Sequence, residues 1–150
     1  AARGAAAATG TKVRIDHYGS MRDGISVASL NEVAFAYLKK LGATKAQDTP
    51  QKPQGYEETG SVSSAIPGVG FSAHTSDGGY HTYEMERDAL GEVGHRGFVI
   101  DAQGMAALLY DFATRADYRA VVTREFEGLK ALYAEYQAAL RAAYKVPVIP

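Results

Sequence analysis

The sequence predicts a domain of the α/β class. Residues 12–18 alternate between apolar and polar side chains, which is typical of a half-buried strand. Residues 69–73 form a short apolar run, which predicts a second, buried strand. Three longer stretches repeat apolar residues at helical spacing and predict helices. Strands and helices in one chain of 150 residues, enough for one compact core, favour an α/β fold.

The N-terminal part predicts the end of a helix at Ala5–Ala8, then a turn, then the first strand. Val13, Ile15 and His17 fall on one face of that strand. Because His17 lies with apolar residues, we interpret it as a histidine at the edge of the core and not as a catalytic group.

The next predicted element is a helix that begins at Ser29. Ser29 and Glu32 have the spacing of a capping box, in which each side chain bonds the backbone N–H of the other residue. The helix is expected to end at Gly42, since glycine is the common residue just past a helix C-terminus. We interpret its apolar stripe as core and not as a cofactor site.

The middle of the chain predicts loops around short strands. Thr44–Gly55 is polar with two prolines and predicts a surface loop. Ser61–Ile66 predicts the start of a strand, and Pro67–Gly68 a turn before the strand at Val69–Ala73. Tyr83–Gly94, rich in carboxylates, predicts a loop or irregular structure.

Two helices are expected to close the chain. The helix predicted over Phe98–Ala113 is apolar nearly all round, so it should be buried on most sides. His95, near its N-terminus, is interpreted as structural. The last helix begins near Asp117 and carries an amphipathic stripe about five turns long. Packing within the domain is the expected role of this stripe, and contact with another chain is the alternative.

Composition excludes several functions. There is no cysteine, which excludes disulfides, zinc fingers and thiol catalysis. The net charge is −1, so no nucleic-acid partner is expected. No apolar run reaches membrane-spanning length and no signal peptide is visible, so we expect a cytoplasmic protein with no membrane partner. The chain begins at Ala1 and its first methionine is Met21, which suggests processing or a piece of a longer polypeptide.

Two of the four histidines fall in the glycine-rich stretch after the second strand. A loop histidine beside carboxylates is a common corner of a metal site. His81 is the best candidate ligand and His74 the second. The residues alone leave this open, because a single loop histidine is more often not a ligand and no His-x-Asp or His-Glu-x-x-His motif completes a site.

Several segments, in chain order, resemble the C-terminal part of the M20 family of metal-dependent amidohydrolases and peptidases, most of all the branch with the aminobenzoyl-glutamate hydrolase subunits. The segments that carry the resemblance are Ala7–Val13, Ser29–Gly42, Gly55–Ser63, Pro67–Gly68, Gly79–Thr82 and Gly94–Gly97. Each motif is short, and the resemblance lies in their order over nearly the whole chain.

The resemblance implies a role for five residues. His81, in Gly79-Tyr80-His81-Thr82, matches the family's last metal-ligand histidine. Gly60 and Ser61, with His74, are expected to form the substrate side of the pocket. Glu58 falls where the family has an aspartate and is assigned there to substrate binding.

The resemblance also implies the fold and the chemistry. Residues 1–24 would end an α+β lid (dimerisation) domain, and residues 25–150 would form the C-terminal half of a three-layer α/β/α catalytic domain. The activity would be hydrolysis of an amide bond in an N-acyl amino acid or dipeptide-like substrate by water at a divalent metal, zinc or manganese, with two ions in the complete site. The other ligands and the glutamate base would lie in an N-terminal half.

The resemblance also implies a partner chain. The chain should be inactive alone and should need the N-terminal half as a separate chain or cleaved piece, in a homo-oligomeric enzyme. His81 is expected at the carboxyl edge of a sheet, facing an open cleft. The alternatives are a non-catalytic binding or assembly module derived from such an enzyme, and an unrelated α/β binding domain.

Overall fold

The computed structural model describes residues 1–16, 24–44 and 59–144, and these residues are helical over most of their length. The helices are α1 (Ala2–Thr9), α2 (Ala28–Lys40), α3 (Gly60–Ser63), α4 (Tyr83–Ala89), α5 (Glu92–Thr114) and α6 (Ala116–Tyr144). α5 contacts α2, α4 and α6, and α2 also contacts α6. Within the described ranges, α2, α5 and α6 therefore form the body of the fold.

The predicted α/β class is wrong for the described residues. The only strand-type pairing among them is a single parallel bridge between Ser26 and Gly68. Residues 11–16 and 69–76 have no regular secondary structure, and Val13 and Ile15 are 42% and 47% exposed. Residues 60–63 are helical where the start of a strand was expected. Neither the three-layer α/β/α catalytic domain nor the α+β lid domain is therefore present in these ranges.

The physical reason is that a strand needs a neighbour. Alternating side chains predict an extended backbone with one apolar face, but the backbone N–H and C=O groups must pair with a second strand to form a sheet. Periodicity contains no information about that second strand. His17 lies outside the described residues, and the predicted domain boundary at residue 24 stays a prediction.

The predicted helix after residue 28 is confirmed as α2, but its predicted cap is wrong. The helix begins at Ala28 with Val27 as N-cap, so Ser29 lies inside the first turn and caps nothing. Two N–H groups of this turn instead donate to Glu125 of α6. At the other end Gly42 adopts φ 81°, a left-handed conformation that glycine reaches without steric cost, as predicted for the helix stop.

The core lies where α2, α5 and α6 meet. Its buried members are Ile25, Val27, Leu30, Ala34, Leu108, Tyr118, Val122 and Phe126. α2 and α5 are also joined by a hydrogen bond between side chains, because the Tyr37 hydroxyl donates to Asp111 Oδ2 at 2.7 Å. This hydrogen bond to a carboxylate, together with partial burial, raises the pKa of Tyr37 above its ordinary value.

α5 is longer and more exposed than the sequence predicts. It begins at Glu92, six residues before the predicted start, and only one face of it is covered by the described helices. Phe98, Val99 and Leu109 are 51%, 55% and 69% exposed on the other face. The expectation of a helix buried on most sides is wrong here, because an all-round apolar surface stays exposed wherever no partner covers it.

α6 is also longer than predicted, with 29 residues. Its first half packs into the core through Val122 and Phe126, whereas Leu132 and Tyr136 are 62% and 59% exposed. The amphipathic stripe thus extends beyond the surface that covers it. No helix in the described part of the chain is long and apolar enough to cross a membrane.

Candidate functional site

The site is the loop that contains both candidate histidines, and we call residues 73–82 the histidine loop. It follows residues 69–72, which have no regular secondary structure, and leads directly into α4. Gly78 lies against the first turn of this helix. A Cβ at Gly78 would lie 2.6 Å from Glu84 Cβ and 2.9 Å from the Met85 nitrogen, so the close approach requires glycine.

His81 has an unusual backbone. It has φ 62°, and no other non-glycine residue in the described ranges has a positive φ. This conformation is costly for a residue with a Cβ, by about 1–3 kcal/mol, and such strain clusters at functional sites. His81 is exposed and not buried among apolar side chains. Its expected place at the edge of a sheet is wrong, while its assignment as a metal ligand stays a prediction.

Thr82 fixes the end of the loop on α4. It is the N-cap of that helix, and its Oγ1 accepts from the Met85 N–H at 3.3 Å and donates to the Gly79 carbonyl at 2.7 Å. This α4 corrects the loop predicted for residues 83–94. The signal that could have revealed it is a threonine followed by Glu84 and Glu86, since an N-cap hydroxyl and an acidic first turn are typical of a helix start.

His74 is bonded within the loop. Its Nε2 lies 3.1 Å from Asp77 Oδ1, and its side chain is 21% exposed. The carbonyl of His74 also lies against Gly97 of α5, so closely that a Cβ at Gly97 would collide with it. His74 thus contacts the loop itself and α5. These contacts do not test its expected role on the substrate side of the pocket.

Two carboxylates hold the loop from outside. Asp88 Oδ2 accepts from Ser76 Oγ and from the Asp77 N–H, both at 3.1 Å. Asp101 Oδ1 accepts from the Ala73 N–H at 3.1 Å. Neither carboxylate could be assigned to the loop from the sequence, because their bonds form only when α4 and α5 pack against it.

The pKa of Asp88 lies below its ordinary value. The main cause is its hydrogen bond from the Arg87 guanidinium, followed by the bond from the Asp77 N–H, with a smaller contribution from Ser76. Arg87 occupies Oδ1 at 3.0 Å, while Oδ2 faces the loop. The carboxylate is therefore held ionised, which makes it a strong acceptor for the loop donors.

Gly60 and Ser61, two more predicted site residues, do not lie at the histidine loop. Gly60 is buried at the start of α3 and Ser61 is exposed one residue later. α3 bonds the N-terminal end of the core, where the Ile25 N–H donates to the Ser63 carbonyl at 3.4 Å. It makes no contact with α4 or α5. Glu58 lies outside the described residues.

His95 is exposed in the first turn of α5, on a different surface from the histidine loop. It lines a groove of about 660 Å³ together with Leu41 and Arg96. Arg96 Nη2 donates to the Gly42 carbonyl at 3.2 Å and so links the start of α5 to the end of α2. The interpretation of His95 as structural stays a prediction.

A second groove of about 350 Å³ borders the histidine loop. Phe35, Leu38 and Met85 contribute apolar surface, and His74 and Tyr80 contribute polar groups. The lining therefore combines apolar and polar side chains in similar measure.

The described residues contain no group of three or more histidine, aspartate or glutamate side chains that could hold a metal ion. A structural or catalytic zinc site usually takes three or four protein ligands. An exposed imidazole such as His81 is chemically suited to be one of them. A metal at this loop would therefore need further ligands from elsewhere.

Comparisons with family models, with curated proteins and with solved structures found no match for this chain. The M20 resemblance therefore depends on the short motifs alone. The described residues define a helical domain in which a strained, exposed histidine lies in a hydrogen-bonded loop.

Proposed function

We propose that this chain is part of an M20-like metal-dependent amidohydrolase and contributes His81 as one metal ligand. The observation that carries the proposal is the conformation of His81, with φ 62° directly before the N-cap of α4. Loop bonds on both sides maintain this strained backbone and leave the imidazole exposed. A ligand held in this way needs little reorganisation to bind a metal.

The chemical role of the metal would be to polarise the amide carbonyl and to lower the pKa of a bound water, with zinc or manganese as the ion. His81 would supply one imidazole nitrogen. The groove beside the loop, which Phe35 and Leu38 line in part, would receive part of a small N-acyl amino acid or dipeptide-like substrate. Gly60 and Ser61 do not line this groove. Their assignment to the substrate side, with that of Glu58, stays a prediction.

The exposed apolar face of α5 supports the need for a partner. Phe98, Val99 and Leu109 are each more than half exposed, on a helix that is otherwise packed against α2, α4 and α6. Large exposed apolar surfaces mark interaction sites. We assign this face to the N-terminal half of the enzyme, which would also supply the remaining metal ligands and the glutamate base.

The second candidate is a non-catalytic binding or assembly module. It is favoured by the isolation of His81, since the described residues offer no three-ligand group. In that case the α5 face would still bind a partner, but the chain would take no metal.

Native mass spectrometry combined with metal analysis separates the two candidates. The amidohydrolase proposal predicts a complex with a larger polypeptide and with zinc or manganese. His81→Ala should lower the metal content of that complex, while His95→Ala, which changes an exposed histidine outside the loop, should not. A complex free of metal would contradict the amidohydrolase proposal and favour the assembly module. So would a complex whose metal content is the same in the two variants.

A further inference from the structure

We propose that two copies of this chain pair through α6, with the two helices antiparallel and Arg124 of each copy beside Glu135 of the other. The surface that pairs is the outer face of α6. Its members follow one another at helical spacing and are all exposed: Val121, Arg124, Gly128, Ala131, Leu132, Glu135 and Ala139. The pairing involves neither the histidine loop nor a metal.

The outer face is not covered by the other described helices. Val121 and Leu132 are 50% and 62% exposed. A Cβ at Gly128 would have no heavy atom within 4 Å apart from the adjacent backbone of α6. Val122 and Phe126, which α6 contributes to the core, lie on another side of the helix. A second helix can therefore lie along the outer face without displacing α2 or α5.

The charges of the outer face indicate which partner covers it. Arg124 and Glu135 are eleven residues apart on α6, which is close to three helical turns, so they share one face and lie about 16 Å apart along the axis. They are too distant to pair within one chain. A two-fold axis that passes between residues 129 and 130 places Arg124 of each copy opposite Glu135 of the other.

The outer face is thus complementary in charge to itself in the antiparallel orientation, and one two-fold axis generates two identical ion pairs. A parallel copy in register would place Arg124 beside Arg124 and Glu135 beside Glu135 instead. Like charges at an interface oppose association, so the charge pattern favours the antiparallel pair.

The middle of the face permits close approach of the two helices. At the same two-fold axis Gly128 lies opposite Ala131 of the second copy, and small side chains at a helix contact shorten the distance between the axes. Leu132 lies beside this contact and loses exposure when the helices pair. One helix against one helix buries a small area for a specific interface, so the dimer is weak.

The first test is sedimentation equilibrium of the full 150-residue chain from about 10 μM to 1 mM. Arg124→Glu and Glu135→Arg each place like charges together at both ends and should weaken dimerisation about tenfold. The double variant restores opposite charges and should dimerise like the wild type. Lys130→Glu is the control with the same change in net charge, because the Lys130 ammonium lies over the Phe126 ring on another side of α6. It should leave dimerisation unchanged within about twofold.

The second test reads the register from cross-linking. Because the chain has no cysteine, a single introduced thiol reports its own position. In the antiparallel pair the two copies of residue 131 lie about 5 Å apart along the axis, and the two copies of residue 138 about 25 Å. A short bifunctional thiol reagent should therefore link Ala131→Cys into dimers and leave Ala138→Cys unlinked. Both alanines are exposed on α6, so the two changes are matched.

The expected result is a wild-type dimer that each single reversal weakens and the double reversal restores. A chain that stays monomeric over the whole concentration range overturns the proposal. So does a dimer that both single reversals leave intact, or one that the double reversal fails to restore, because the contact then lies elsewhere or belongs to a different partner. Equal cross-linking of Ala131→Cys and Ala138→Cys contradicts the antiparallel register. Circular dichroism verifies that each variant is folded.

Discussion

Glu125 of α6 caps the N-terminus of α2, since its Oε1 accepts a hydrogen bond from the Ala28 N–H at 2.6 Å. Its Oε2 accepts from the Ser29 N–H at 3.1 Å. The first N–H groups of a helix have no partner within the helix, and a carboxylate there also interacts favourably with the helix dipole. A residue 97 positions away in sequence thus completes the first turn of α2.

Glu125→Ala should lower the free energy of unfolding by about 1–2 kcal/mol, the cost of losing a helix cap. Urea denaturation followed by circular dichroism measures this change. Glu127→Ala is the matched control, because Glu127 is exposed on the same helix. Equal stability of the two variants would show that the capping bonds contribute nothing measurable.

The same carboxylate predicts a dependence of stability on pH. Partial burial acts to raise the pKa of Glu125. Hydrogen bonds from Ser29 and from the Ala28 N–H outweigh this effect, so the pKa lies below its ordinary value. A lowered folded-state pKa means that the stabilisation is complete above the unfolded value of about 4.3 and is lost as pH falls through the folded value. The difference in unfolding free energy between the wild type and Glu125→Gln should therefore shrink between pH 5 and pH 3, roughly. A difference that grows on acidification would refute this assignment.

Gly97→Ala should destabilise the protein by about 1–3 kcal/mol, since the added methyl group would collide with the His74 carbonyl and lie 2.6 Å from Thr75 Cγ2. Gly128→Ala in α6 is the control, because apart from the adjacent backbone of α6 no heavy atom lies within 4 Å of the added Cβ. That change should stabilise the protein by about 0.5–1 kcal/mol through helix propensity. Thermal unfolding of both variants measures the contrast, and a stabilised Gly97→Ala would show that α5 does not pack against the histidine loop.

His81→Gly should raise the free energy of unfolding by about 1 kcal/mol, because glycine adopts φ 62° without the Cβ penalty. His95→Gly should lower it by about 0.5 kcal/mol, because glycine is unfavourable within α5. Chemical denaturation of the two variants provides the comparison. Destabilisation of both by the same amount would mean that His81 is not strained.

The candidate site could be predicted only in part from the sequence. Two glycines before a histidine indicate a tight turn, and this is where the structure has the strained His81. The two carboxylates that bond the histidine loop, Asp88 and Asp101, could not be assigned from the sequence. They belong to α4 and α5, and a spacing pattern says nothing about which loop a helix will pack against.

For the fold, the sequence by itself determined α2 and the first half of α6, because apolar residues at helical spacing and a terminal glycine are local signals. Tertiary structure alone decided that the segments around Val13 and Phe71 have no strand partner within the described ranges, and that Glu125, not the Ser29–Glu32 pair, caps α2. Hydrogen bonds within a helix join residues four apart and can be anticipated from a short stretch of sequence. Strand pairing and caps from another helix join distant residues, so they depend on how the whole chain packs.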